Sequence, residues 1–166
     1  DTATNPVPFL SRGGPIRLGG RSVLTAGDLD GDGGIDLIYG DGPGRIHWLK
    51  DVGTGPEHRY EAAVEIEAGG ERYQVDPGPD GRLLGPIAAK LGFACPTLVD
   101  WAAHDRLDLI VGTAGGEVLT FLNDGAKIQP RFAYPTVLRC SGAPLIIPPR
   151  IRPAASYWYG GAKVMV

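Results

Sequence analysis

Short apolar runs broken by glycine, proline and aspartate set the rhythm of this chain. Leu37-Ile38-Tyr39 and Leu109-Ile110-Val111 are typical, each closed by a glycine-rich stretch such as Gly40-Asp41-Gly42-Pro43-Gly44. Runs this short with turn formers at both ends read as strands, not helices. The pattern predicts strands over about residues 22–27, 36–40, 45–50 and 62–67, then over about 95–100, 108–112, 117–122 and 135–139. In two of them apolar residues lie on both faces: Ile46 and Trp48 oppose His47 and Leu49, and Val118 opposes Leu119 and Phe121. Such strands are expected to be covered on both sides. A helical period shows only within residues 83–93, where Gly85-Pro86 and Gly92 favour a linker or insertion. The expected fold class is all-β.

Sliding the chain against itself by 72 residues brings Asp28 onto Asp100, Asp36-Leu37-Ile38 onto Asp108-Leu109-Ile110, and Gly40, Gly44 and Gly53 onto Gly112, Gly116 and Gly125. Nine of the 48 positions from 28 to 75 are identical without a gap, and most others keep their apolar or polar character. Each copy carries four short strands, the unit from which β-propellers are built. The expected organisation is the tail of a preceding repeat over 1–19, a first repeat over 20–75, a linker or insertion over 76–91, a second repeat over 92–147, and the start of a third over 148–166. Two units cannot close a ring, so a fragment of a longer propeller is expected, with a self-contained sandwich as the competing arrangement. The 26 Gly and 15 Pro fit many short strands joined by tight turns.

Chemistry concentrates between the first two strands. Asp28, Asp30, Asp32 and Asp36, with Gly31, Gly33 and Gly34 among them, place carboxylates at positions 1, 3, 5 and 9 of a loop. Calcium takes six to eight oxygens, and a glycine at position 6 permits the sharp turn its loops need. Gly34 at position 7 is the expected backbone-carbonyl ligand. Four carboxylates this close repel by several kcal/mol per pair at an effective dielectric near ~20, and a plain hairpin turn needs only one or two such residues. A helical EF-hand would carry Glu at position 12, where this chain has Tyr39. In the second copy the matching residues are Asp100, Ala102, His104 and Asp108, and Arg106 replaces Gly34. Arg106 is expected to neutralise Asp100 or Asp108, leaving one calcium site in the chain.

Residues 28–40, then Gly44-Arg45-Ile46-His47-Trp48-Leu49 and Pro56 with Tyr60, resemble the FG-GAP or VCBS-type repeat known from integrin-alpha-like propellers. Asp108-Leu109-Ile110-Val111-Gly112-Thr113, Phe121-Leu122-Asn123 and Pro130-Arg131-Phe132 are similar, with a degenerate loop. The resemblance implies a seven- or eight-bladed propeller, Ca2+ in inter-strand loops, and a secreted or cell-surface location. It also implies Asp28, Asp30, Asp32, Gly34 and Asp36 as the ligands. The period of 72 and the lost carboxylates of the second copy depart from that pattern.

A net charge of −3 and a pI near 5.6 exclude the clustered basic surface of a nucleic-acid binder, and no apolar run reaches membrane-spanning length. His47, His58 and His104 are far apart, and no Gly-x-Ser-x-Gly or His-Glu-x-x-His motif occurs. No catalytic residue is assigned and no enzyme is expected. Trp48 and Trp101 are expected in packing, and Tyr157, Trp158 and Tyr159 as core or as a sugar-stacking platform. Cys95 and Cys140 permit one disulfide or two buried thiols. The leading expectation is a non-enzymatic, calcium-stabilised extracellular module for adhesion, recognition or assembly, whose partner is a carbohydrate, another protein surface or further copies of itself. The competing expectations are the propeller part of a calcium-dependent polysaccharide lyase or hydrolase, and a lectin-like module.

Overall fold

Glycine and aspartate turns dictate a succession of antiparallel hairpins. The computed structural model describes residues 10–11, 14–19, 21–54, 57–77 and 91–147. The expectations for 83–93, for 148–166, and for Tyr157, Trp158 and Tyr159 fall wholly or largely outside them, as do those for 1–9 and for most of 76–91. The described residues are all-β and contain no helix. A hairpin of β1 (Leu10–Ser11) and β2 (Gly14–Pro15) comes first. A four-stranded antiparallel meander follows: β3 (Val23–Gly27), β4 (Asp36–Gly40), β5 (Ile46–Leu49) and β6 (Val64–Glu65). After the hairpin of β7 (Glu67–Ala68) and β8 (Glu71–Arg72) comes a second meander: β9 (Cys95–Val99), β10 (Asp108–Gly112), β11 (Val118–Phe121) and β12 (Thr136–Val137). A hairpin of β13 (Arg139–Cys140) and β14 (Ala143–Pro144) ends the described chain.

Every strand from β3 to β8 has its counterpart 72 residues later, from 23 against 95 to 72 against 144. The turns correspond as well. Asp41 accepts the N–H groups of Gly44 at 2.9 Å and Arg45 at 2.7 Å, closing the β4–β5 turn. Gly44 there has φ of +101°, and Gly116 in the β10–β11 turn has φ of +81°, backbone that an L side chain rarely adopts.

The two meanders share one core. Ile38 and Ile46 from the first pack with Leu109, Val111, Leu119 and Phe121 from the second, joined by Ala94 and Phe132. Each large aliphatic or aromatic side chain taken fully out of water contributes about 1.5–3 kcal/mol. Leu37, Leu49 and Tyr60 cluster separately, with Ile16 and Tyr39 against them, so β4 is covered on both sides, as its continuous apolar run requires. The strip 91–94 threads between the meanders: Phe93 N–H donates to Gly42 O at 3.1 Å, and Ala114 N–H to Gly92 O at 2.8 Å. The first two small hairpins also reach the next unit, Ser11 bridging Tyr60 and Ala68 bridging Phe132, both in parallel. Cys95 is buried and Cys140 exposed, with no disulfide between them.

Candidate metal centre

The loop joining β3 to β4 is built on two left-handed glycines, Gly31 at φ +66° and Gly33 at φ +91°. They fold the chain back so that carboxylate oxygens of Asp28, Asp30 and Asp32 all lie within 4.8 Å of one another. Asp28 Oδ2 accepts Gly33 N–H at 3.0 Å, and Asp32 Oδ1 accepts Gly34 N–H at 2.8 Å. These bonds fix the turn. Asp28 Oδ1 and Asp30 Oδ1 are buried with no hydrogen-bond partner, and the Asp30 side chain is only 4% exposed. Buried carboxylate oxygens without a donor are costly. An all-oxygen set of three carboxylates with two unsatisfied oxygens is what a hard divalent cation needs, so calcium fits these residues.

Asp36 is placed differently. It is fully buried, with Oδ1 accepting Asp51 N–H at 2.8 Å and Oδ2 accepting Leu29 N–H at 3.2 Å. Burial pushes its carboxyl up to about 6, against the Asp51 N–H, which favours the anion, and with the charge of Asp30 adding to the rise. Asp36 therefore latches the loop to the end of β5 from behind and stands outside the three-carboxylate cluster. Gly34 enters through its N–H. A Cβ there would sit 3.0 Å from both Asp32 Oδ1 and Asp51 O, so the position has little room for a side chain.

A cation of the protein's own lies at the cluster. Lys50, just past β5, donates from Nζ to Asp32 Oδ2 at 2.6 Å and also to Asp30 Oδ2. The Lys50 hydrogen bond, followed by the Gly34 N–H, holds the Asp32 carboxyl below the usual carboxylate range. No family model, curated protein or solved structure matches the chain.

The second loop keeps the backbone and changes the chemistry. Ala103 at φ +53° and Asp105 at φ +59° adopt the left-handed conformation of Gly31 and Gly33, at a steric cost of roughly 1–2 kcal/mol per residue with a Cβ. Asp100 accepts the N–H groups of His104 at 2.9 Å and Asp105 at 3.0 Å. The buried Asp108 takes Trp101 and Ala102 N–H at 3.0 Å each and Asn123 N–H at 2.7 Å. His104 lies between the two acids, Nδ1 3.2 Å from Asp100 and Nε2 3.4 Å from Asp108. These three could reach one ion, but the imidazole makes the set unlike calcium's. Arg106 does not take the clamping role expected of it: its Nε donates to Asn123 O at 3.1 Å, because β11 brings that carbonyl closer than either acid.

Lys50 and the pair Asp51 and Asn123 carry roles that the spacing of the acidic loop does not suggest, and His104, expected only as a lost carboxylate, bridges two acids. Asp51 Oδ1 accepts Gly53 N–H at 2.8 Å and Arg59 N–H at 3.0 Å, and Asn123 Oδ1 accepts Gly125 at 3.2 Å and Arg131 at 3.1 Å. Their signal was present: both stand two residues before a glycine, 72 positions apart.

Proposed function

We propose that this chain is a calcium-stabilised repeat module of a β-propeller, working outside the cell as a non-enzymatic surface for adhesion, recognition or assembly. The observation that carries the reading is the pair of buried, donor-less oxygens on Asp28 and Asp30 inside a three-carboxylate turn. Calcium held by Asp28, Asp30 and Asp32 satisfies them, and the Asp36 latch ties that turn to the neighbouring strand. The propeller reading is supported by two four-stranded antiparallel meanders packed on one core, each followed by a hairpin of the same form. The extracellular setting is part of the proposal, since extracellular modules that bind calcium at about 10⁻⁴–10⁻³ M meet enough of it to stay loaded.

Thermal unfolding in excess EDTA and in calcium tests the reading. At free calcium about a hundredfold above Kd, binding adds about 2.7 kcal/mol, which raises the Tm of a chain this size by about 5–10 °C. Asp30→Asn removes the shift. A Tm unmoved by calcium in the unaltered chain refutes the proposal.

A further inference from the structure

We infer that Lys50 is an intramolecular competitor for the cation site: its ammonium holds the carboxylates when calcium is scarce and must leave when calcium enters. The inference rests on the calcium reading of the first loop and adds the group that sets how tightly the metal is held.

The geometry makes the two cations exclusive. Lys50 Nζ donates to one oxygen each of Asp30 and Asp32, two of the three carboxylates that would face calcium. Calcium approaches its oxygens to about 2.3–2.6 Å, so an ammonium on the same carboxylates would sit within a few ångströms of a doubly charged ion. At that distance repulsion is strong even at a high effective dielectric. An exit exists: the Lys50 side chain is 30% exposed while that of Asp30 is 4% exposed, and the four-carbon stem can swing its head into water.

The chain also supplies an internal comparison. At the position 72 residues on from Lys50 stands Leu122, 39% exposed, in the copy whose loop has Ala102 and His104 in place of Asp30 and Asp32. The strand end tolerates an apolar residue there, so strand packing does not demand the lysine. The ammonium is present where the carboxylates are present and absent where they are lost. Lys127, a second lysine near the first loop, is engaged by Asp105 Oδ2 at 2.9 Å and lies against Gly31 through its stem.

Calorimetric titration of the 166-residue chain with calcium chloride tests the inference, using the unaltered protein, Lys50→Met and Lys50→Arg. Lys50→Met keeps the apolar stem and is expected to tighten calcium binding at least about tenfold, since the metal no longer displaces a paired charge. Lys50→Arg keeps a positive charge on the carboxylates and should bind calcium more weakly than Lys50→Met. In EDTA, Lys50→Met should melt below the unaltered chain, and calcium should close that gap. Equal Kd values for Lys50→Met and the unaltered chain overturn the competitor role and leave the calcium reading intact. No binding by either up to about 10 mM, beyond the weakest extracellular modules, overturns both. Should Lys50→Met not fold in EDTA, the side-chain NMR signal of Lys50 decides the matter in the unaltered protein. A shift toward the free-lysine position on calcium saturation supports displacement, and an unmoved signal refutes it.

Discussion

Replacing Asp36 or Asp108 by alanine distinguishes a carboxylate that holds backbone from one that holds metal. Both residues are fully buried at the first position of their strands, β4 and β10. Asp36 accepts two backbone N–H groups, from Asp51 and Leu29, and Asp108 accepts three, from Asn123, Trp101 and Ala102. Hydrogen bonds to a charged acceptor contribute about 1.5–3 kcal/mol each, and a buried N–H left without an acceptor costs about 1–3 kcal/mol. The bonds share one carboxylate whose burial is itself unfavourable, so they do not add fully. We expect Asp36→Ala to cost about 3 kcal/mol and Asp108→Ala about 4 kcal/mol, out of a total stability of roughly 5–15 kcal/mol. Asp100→Ala, which loses exposed turn bonds and the partly exposed His104 contact, should cost far less than either.

Urea unfolding followed by circular dichroism, in EDTA and again in saturating calcium, reads these values. A latch acts whether or not metal is bound, so the loss at Asp36 should be the same in both buffers. A loss at Asp36 that appears only in calcium would mean that its carboxylate is a ligand after all. A loss below about 1 kcal/mol for Asp108→Ala would refute the hydrogen-bond account.

A Cβ on Gly40 would meet Ala94 O at 1.9 Å, where neither backbone can give way. Gly40→Ala should therefore cost about 3 kcal/mol or more and lower the calorimetric Tm by about 10 °C, and a shift under about 2 °C would show the meanders are not packed there. Burial pushes the Asp41 carboxyl up, but the Arg45 N–H, His47 and the Arg45 guanidinium outweigh it and hold it below its ordinary 3.8. A carboxyl depressed in the folded state stabilises above its unfolded value and loses that contribution as pH falls through the folded one. The urea midpoint should thus drop below about pH 4, and Asp41→Asn should flatten that acid limb; a parallel limb in the variant would clear Asp41 of the effect.

The strands were legible because their apolar runs are short and hard-stopped. Expectations of 36–40 and 108–112 coincide with Asp36–Gly40 and Asp108–Gly112. The run at 62–67 reads as one strand, yet β6 closes at Glu65 and β7, which belongs to a separate hairpin, starts at Glu67. Between them Ile66 turns into the shared core, its N–H on Ile46 O at 2.8 Å. Alternating character continues through the break, so no sequence signal marked it. Two-residue strands closed by Gly69 and Gly70, at φ +64° and +82°, are too short to show a period.

The acidic loop was legible as a charge problem and not as a geometry. Spacing assigns Asp36 to position 9 of a ligand series, but which way its carboxylate turns is fixed by strand register. Asp36 pairs with Gly27, and Leu37 pairs with Leu49, so the end of β5 lies beside the start of β4. That register delivers both the Asp51 N–H to Asp36 and the Lys50 ammonium to Asp30 and Asp32. Linear distance hides the connection, since Lys50 is 20 residues from Asp30. The crowding of negative oxygens was read from the sequence as a demand for an external cation. The fold adds that part of the demand is met from within, and the two answers differ in one measurable quantity: how much calcium the loop requires before it yields its lysine.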